Sequence, residues 1–213
     1  MKTCQAPVRF EVPLSNSAKE HFICIFKLFH KLFKICSMKT IFFLLLLSPL
    51  FAHAQLSKRD SLWLPMSFFI GNWEGQGKGE PGDGKYERSY NWALNKKFIE
   101  VNNKSAYPPS DNNKQKGEVH EDIGFISYDG MRKRFMLRQF HIEGFVNQYK
   151  LDSIADDSKK IVFVSEAIEN IPQGYRARET YTIIDQNEFI EVFEIAEPGK
   201  DFAVYSEVRL KRK

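Results

Sequence analysis

Few residues of the 213-residue chain have types and spacing suited to chemistry. His120-Glu121-Asp122 sets a histidine and two acids within three positions. On a strand, His120 and Asp122 share one face and Glu121 takes the other. With His141 they would offer nitrogen and oxygen ligands to a metal. Spacing adds nothing to that idea, and surface strands commonly carry such charges, so no metal is expected. A hydrolase needs a nucleophile beside a base, and the chain has no Gly-x-Ser-x-Gly elbow. Glu191 and Glu194 fall on opposite faces of one strand, which rules them out as an acid/base pair. A buried carboxylate of raised pKa, or His120, is the route left to an enzyme acting on a lipid-like small molecule. Arg88, Arg138 and Arg178 each interrupt a strand-like pattern. Each reads either as an exterior arginine paired with an acid or as an interior one offering bidentate contact to an anion. Arg88 is the best interior candidate, because Tyr86 and Tyr90 flank it at period two.

The elements that must position these residues are strands. From Trp73 onward the apolar period is two and no long 3.6-period segment appears. Short turns such as Asp129-Gly130, Glu143-Gly144 and Asp185-Gln186-Asn187 separate the strands. Ten strands in a row, each joined to the next by a short turn, predict an antiparallel up-and-down meander. Closing it into a β-barrel buries the apolar face and removes the edges. A barrel of that size leaves an interior that side chains only partly fill. Trp73, Tyr90, Phe125 and Tyr149 would line that interior or form plain core. On residues 119–128 and 134–142 both faces carry apolar residues, so the inward face stays open there.

The first strand opens Gly71-Asn72-Trp73-Glu74-Gly75-Gln76-Gly77-Lys78-Gly79. With Trp73 inside, Gly75, Gly77 and Gly79 share its face. These glycines either permit barrel curvature or leave room for a ligand. Before them, the apolar Leu62–Ile70 segment is interrupted by Pro65, which restricts a helix to a short turn. It would plug one end of the barrel, after a polar, frayed stretch over 55–62. Near the other terminus, Arg209 would stack on Trp73 and close the floor.

Composition splits the chain in two. The first 54 residues carry seven Lys/Arg and two acids, leaving 24 basic and 25 acidic residues over 55–213. The overall charge of +4 therefore belongs to the leader and is no sign of nucleic-acid binding. Cys4, Cys24 and Cys36 also lie there, so thiolate chemistry and disulfides are excluded beyond residue 54. Residues 38–54 run from Met38-Lys39 through an apolar stretch to Ala52-His53-Ala54, the pattern of a secretory signal cleaved after Ala54. Residues 1–37 read as the product of an over-early start, or as an extension whose Phe22–Phe33 stretch lies on a membrane. The apolar run falls short of the ~20 residues of a spanning helix. The expected layout is thus 1–37 extension, 38–54 signal, 55–65 flexible segment and 66–213 barrel, exported to the periplasm or beyond.

The Gly-x-Trp opening with alternate glycines resembles that of the nitrobindin-like haem-binding barrels. So do Tyr86-Glu87-Arg88-Ser89-Tyr90 and the Gly117–Ile126 stretch that ends Gly124-Phe125-Ile126. Gly-x-Trp openings also occur among lipocalin and fatty-acid-binding barrels, and Gly124–Asp129 is similar to secreted bacterial barrels without an assigned function. The resemblance implies a calycin-like, all-β, roughly ten-stranded barrel with an internal pocket. In the fatty-acid-binding barrels an interior Arg meets a carboxylate headgroup, the role Arg88 or Arg138 would take. In the haem-binding members a histidine on the last strand holds the iron. Here the matching position, shortly before Leu210-Lys211-Arg212, is Tyr205, which can ligate ferric haem. The expectation is a binding barrel for a small apolar or amphipathic molecule, without catalysis and without a cofactor, haem being the alternative. Its candidate lining is Trp73, Arg88, Tyr90, His120, Phe125, Arg138, His141, Tyr149 and Tyr205.

Overall fold

A computed structural model describes residues 57–111 and 115–213. The expected extension and secretory signal lie outside the described residues. The described residues open with a helix, α1 (Lys58–Ser67). Ten strands follow: β1 (Gly71–Gly79), β2 (Gly82–Ala93), β3 (Phe98–Tyr107), β4 (Glu118–Asp129), β5 (Arg134–His141), β6 (Val146–Ile154), β7 (Lys160–Glu169), β8 (Arg176–Asp185), β9 (Glu188–Ala196) and β10 (Ala203–Arg212). Each pairs antiparallel with its neighbour in sequence, and β1 pairs with β10 from Trp73↔Arg212 to Gly79↔Ser206. The sheet is a closed up-and-down barrel with no free edge. Among the described residues no helix is long and apolar enough to cross a membrane.

The helix is longer than Pro65 suggests, and residues 58–62 are helical rather than frayed. The Ser57 side chain caps it by accepting from the Asp60 N–H at 3.1 Å. Pro65 falls two residues before the end, so it interrupts only the last turn. Trp63 and Met66 are buried. Trp63 meets Trp92 and Phe135 edge-on, at 5.3 and 5.0 Å between ring centroids. The α1 helix is thereby fixed to the barrel end where the β2–β3 and β4–β5 turns lie.

The same end is sealed by aromatic rings. Trp73 donates its indole N–H to the Phe69 carbonyl at 2.7 Å and packs edge-on against Phe189 at 4.8 Å. The cation over Trp73 is Arg212, 4.0 Å from the ring, and not Arg209. Parity decides this. Val208 and Leu210 are buried, so Arg209 points outward and pairs with Glu188 at 2.6 Å. Arg212 returns to the inner face and donates to the Ile70 and Phe68 carbonyls at 2.6 and 2.9 Å.

The inward glycines of β1 serve close approach. A Cβ on Gly75 would stand 2.1 Å from the Arg209 carbonyl oxygen, and one on Gly77 2.2 Å from that of Glu207. Gly79 and Gly84 leave room for the Tyr107 ring, whose hydroxyl pairs with that of Tyr86 at 2.8 Å. Curvature and packing, rather than a ligand, fill the space they leave.

Candidate functional site

On β4 and β5 the structure resolves the open parity. Gly124 and Ile126 face inward on β4, as do Phe135, Leu137, Gln139 and His141 on β5. Phe125 and Arg138, opposite one another in the ladder, therefore lie on the outer face, away from the interior. Trp73, Tyr90 and Tyr149 are buried in the core. Of the residues singled out from sequence, Arg88, His120, Asp122, His141, Glu191 and Tyr205 reach one common cavity of about 470 Å³.

Tyr205 reaches it through an irregularity. Val204 pairs with Glu194 and Ser206 with Phe193, so Tyr205 is an extra, bulged residue on β10. The bulge lets both Tyr205 and Ser206 line the cavity. Tyr205 packs edge-on against Phe193 at 5.6 Å.

The inner surface of the barrel is layered. Beside the plug it is aromatic and aliphatic. At mid-depth lies a belt of polar side chains from seven strands. Arg88 of β2 is only 6% exposed, and Glu191 of β9 likewise. Its Nε lies 3.1 Å from both Glu191 oxygens and its Nη2 2.6 Å from one. Its Nη1 donates to the carbonyls of Glu87 and Lys104 at 3.0 Å and to the Ser105 hydroxyl at 3.3 Å. Burial opposes the Arg88 charge, but Glu191 more than restores it, so the guanidinium stays charged.

Asp122 of β4 accepts from the amides of Asn103 at 2.9 Å and Gln139 at 3.3 Å. Burial pushes its carboxyl up to about 7, Arg88 holding it back and Glu191 adding to the rise. Glu179 of β8 is 7% exposed, and its Oε2 has no hydrogen-bond partner. Burial, then the negative charge of Glu191, raises its carboxyl well above the ordinary range, so it is held as the neutral acid. Burial likewise keeps Tyr90, Tyr149 and Tyr181 as phenols.

Both histidines stand nearer the mouth. His141 stacks on Phe145 at 4.0 Å, and its Nε2 accepts from the Asn147 amide at 3.1 Å. Burial lowers its pKa to about 4, so the ring is neutral with its proton on Nδ1. His120 sits between Glu143, 2.5 Å from Nδ1, and Glu118, 3.2 Å from Nε2. Each histidine thus has its own partners, as does Asp122, and the three do not converge on one point. No metal-binding group of three or more His, Cys, Asp or Glu forms among the described residues.

Haem does not fit these residues. The Nε2 lone pair of His141 is taken by Asn147, and both nitrogens of His120 face carboxylates. Burial, then the charges of Glu118 and Glu80, raise the Tyr205 pKa, which opposes the phenolate that would ligate ferric iron.

Sequence reasoning named Asp122 and Glu191 without pairing Glu191 to Arg88, and it did not name Glu179. Period two did carry the signal: Ala177, Glu179 and Tyr181 alternate inward on β8, and Phe189, Glu191 and Phe193 on β9. Glu194, on the other face of β9, pairs outside with Arg178 at 2.5 Å. Gln139 and Asn147, 2% and 1% exposed, carried no comparable signal.

No protein-family model matches the sequence, and no curated protein matches it significantly. Solved structures do resemble the fold. The crystal structure of Rv2717c from M. tuberculosis superposes with a TM-score of 0.53 at 15% identity, over 75% of this chain and 99% of that one. A de novo designed fluorescence-activating β-barrel gives 0.34 at 12% identity, over 69% and 95%. A protein of unknown function from the DUF3598 family of Nostoc punctiforme gives 0.26 at 8% identity, over 71% and 99%. At such identities the first likeness concerns the barrel fold alone, and the other two carry no weight.

Proposed function

We propose that the barrel binds one small amphipathic molecule, its polar end in the mid-depth belt and its apolar part toward the mouth. One observation carries this reading. Four residues lining the cavity of about 470 Å³, Asn103, Gln139, Asn147 and Glu179, each carry a buried side-chain oxygen without a hydrogen-bond partner. Each such atom costs about 1–3 kcal/mol when left unpaired. A ligand, or water it displaces, would satisfy them. Nearer the opening, Phe145, Ile168, Ile171, Pro172 and Ile195 supply apolar wall. The test is displacement of a solvatochromic naphthalene dye from the full chain. Saturable binding at one site supports the reading; titration that never saturates overturns it.

A second reading, chemistry, is favoured by Glu179 itself: a neutral acid among the cavity-lining residues, with an unpartnered oxygen, is suited to proton transfer. Its test is deuterium exchange into acetylacetone. Exchange no faster than in buffer, or unaffected by Glu179→Gln, removes it.

Export completes the proposal. The apolar stretch over 38–54 supports it, and mass spectrometry of protein from its host should find Gln55 first.

A further inference from the structure

We propose that the polar end of the cavity receives an organic ammonium group, with Glu179 as its counter-ion. This rests on the binding reading and names the chemistry of the ligand's head. Around the belt nearly every donor is already used. Arg88 spends its N–H groups on Glu191, two backbone carbonyls and Ser105. The Asn103 and Gln139 amides donate to Asp122. The Asn147 amide donates to His141 and, at 2.8 Å, to the Tyr149 hydroxyl. These contacts fix the amide orientations, since a flip would turn the Asn103 and Gln139 oxygens against a carboxylate.

What is left over on the residues lining the cavity is oxygen: Asn103 Oδ1, Gln139 Oε1 and Asn147 Oδ1 are acceptors, and Glu179 Oε2 belongs to a carboxyl that becomes an acceptor on giving up its proton. The remaining unpartnered atom, the Tyr90 hydroxyl, does not line the cavity. Gln139, Asn147 and Glu179 are each more than nine-tenths buried. The charges agree. Within the belt Asp122, Glu179 and Glu191 share one cation, Arg88, which Glu191 already neutralises, while the exposed Arg176 of the cavity wall donates to the Lys200 carbonyl. An anionic head would meet the Glu191 carboxylate and an arginine already spent on it. An ammonium brings three N–H donors and a positive charge to oxygens without partners.

Binding has a proton signature. Glu179 is surrounded by Arg88 and Tyr90 of β2, Asp122 of β4, Tyr149 of β6, Tyr181 of β8, and Glu191 and Glu194 of β9. Those surroundings hold the empty site's carboxyl protonated. An entering ammonium favours the carboxylate, so about one proton passes from Glu179 to the buffer per molecule bound.

The experiment is calorimetric titration of the full chain at pH 7.5 with octylammonium, octan-1-ol and octanoate, in two buffers of different protonation enthalpy. Octylammonium should bind at least about tenfold tighter than octanoate, with proton release. Glu179→Gln should remove that preference and the released proton while octanol binding persists. Octanoate binding as tightly as octylammonium, or ammonium binding without proton release, overturns the proposal and leaves the binding reading standing. Failure of all three probes overturns both. The ranking and the proton count come from the unmodified protein, so they decide the matter even if Glu179→Gln does not fold.

Discussion

Replacing Arg88 by Met removes the one cation of the belt while keeping most of its apolar stem. The guanidinium makes three contacts with Glu191 of 2.6 to 3.1 Å and ties β2 to β3 and to β9 across the barrel. Without it, Glu191 is a buried carboxylate beside the unpaired Glu179. Breaking a buried ion pair from one side costs about 3–5 kcal/mol, chiefly from the stranded charge. For a domain of this size that is a fall in Tm of about 6–20 °C. Removing both charges, as Arg88→Met with Glu191→Leu, should restore most of the loss, leaving about 0–2 kcal/mol. Urea unfolding of the four proteins of this cycle measures every quantity. An Arg88→Met cost below about 1 kcal/mol, or additive single and double changes, would refute the assignment of Arg88–Glu191 as a coupled buried pair.

Three more outcomes follow from the same geometry. Asp122→Asn keeps an acceptor for Asn103 and Gln139 but removes a carboxyl whose pKa is raised to about 7, so it should stabilise the fold at pH 8 by about 4 kcal/mol and hardly at all at pH 4, read from urea midpoints. Gly75→Ala would force a Cβ against the Arg209 carbonyl at 2.1 Å, and should cost about 3 kcal/mol or more or block folding, whereas Gly130→Ala, with open space around it, should change thermal stability by less than about 0.5 kcal/mol. His141, neutral with its pKa lowered to about 4, should weaken the fold as pH falls from about 6.5 toward 4, by about 2 kcal/mol that His141→Gln abolishes in pH-dependent melts.

Much of the barrel was readable from period two and turn residues. The Asp129-Gly130 and Glu143-Gly144 signals, and the alternation of Tyr86, Arg88 and Tyr90, correspond to real turns and a real inward face. Three things were not. The acids Glu179 and Glu191 follow the inward parity, yet acids are so rarely buried that alternation alone does not mark them as interior. Tyr205 depends on a bulge, and nothing local in sequence marks one there. On β4 and β5 apolar residues occupy both faces, Phe125 and Phe140 outside among them, so alternation could not choose between them. The helix outlasted its proline because Ser57 and the packing of Trp63, not propensity, set its limits.

The central claim is that the cavity is a site for one small amphipathic molecule. The most direct measurement is a naphthalene-dye titration of the unmodified chain beside Ile195→Trp, which sets a large side chain in the cavity wall clear of the polar belt. Saturable one-to-one binding, weakened about tenfold or more by Ile195→Trp, is the result expected. Binding that does not saturate, or that Ile195→Trp leaves unchanged, would contradict it.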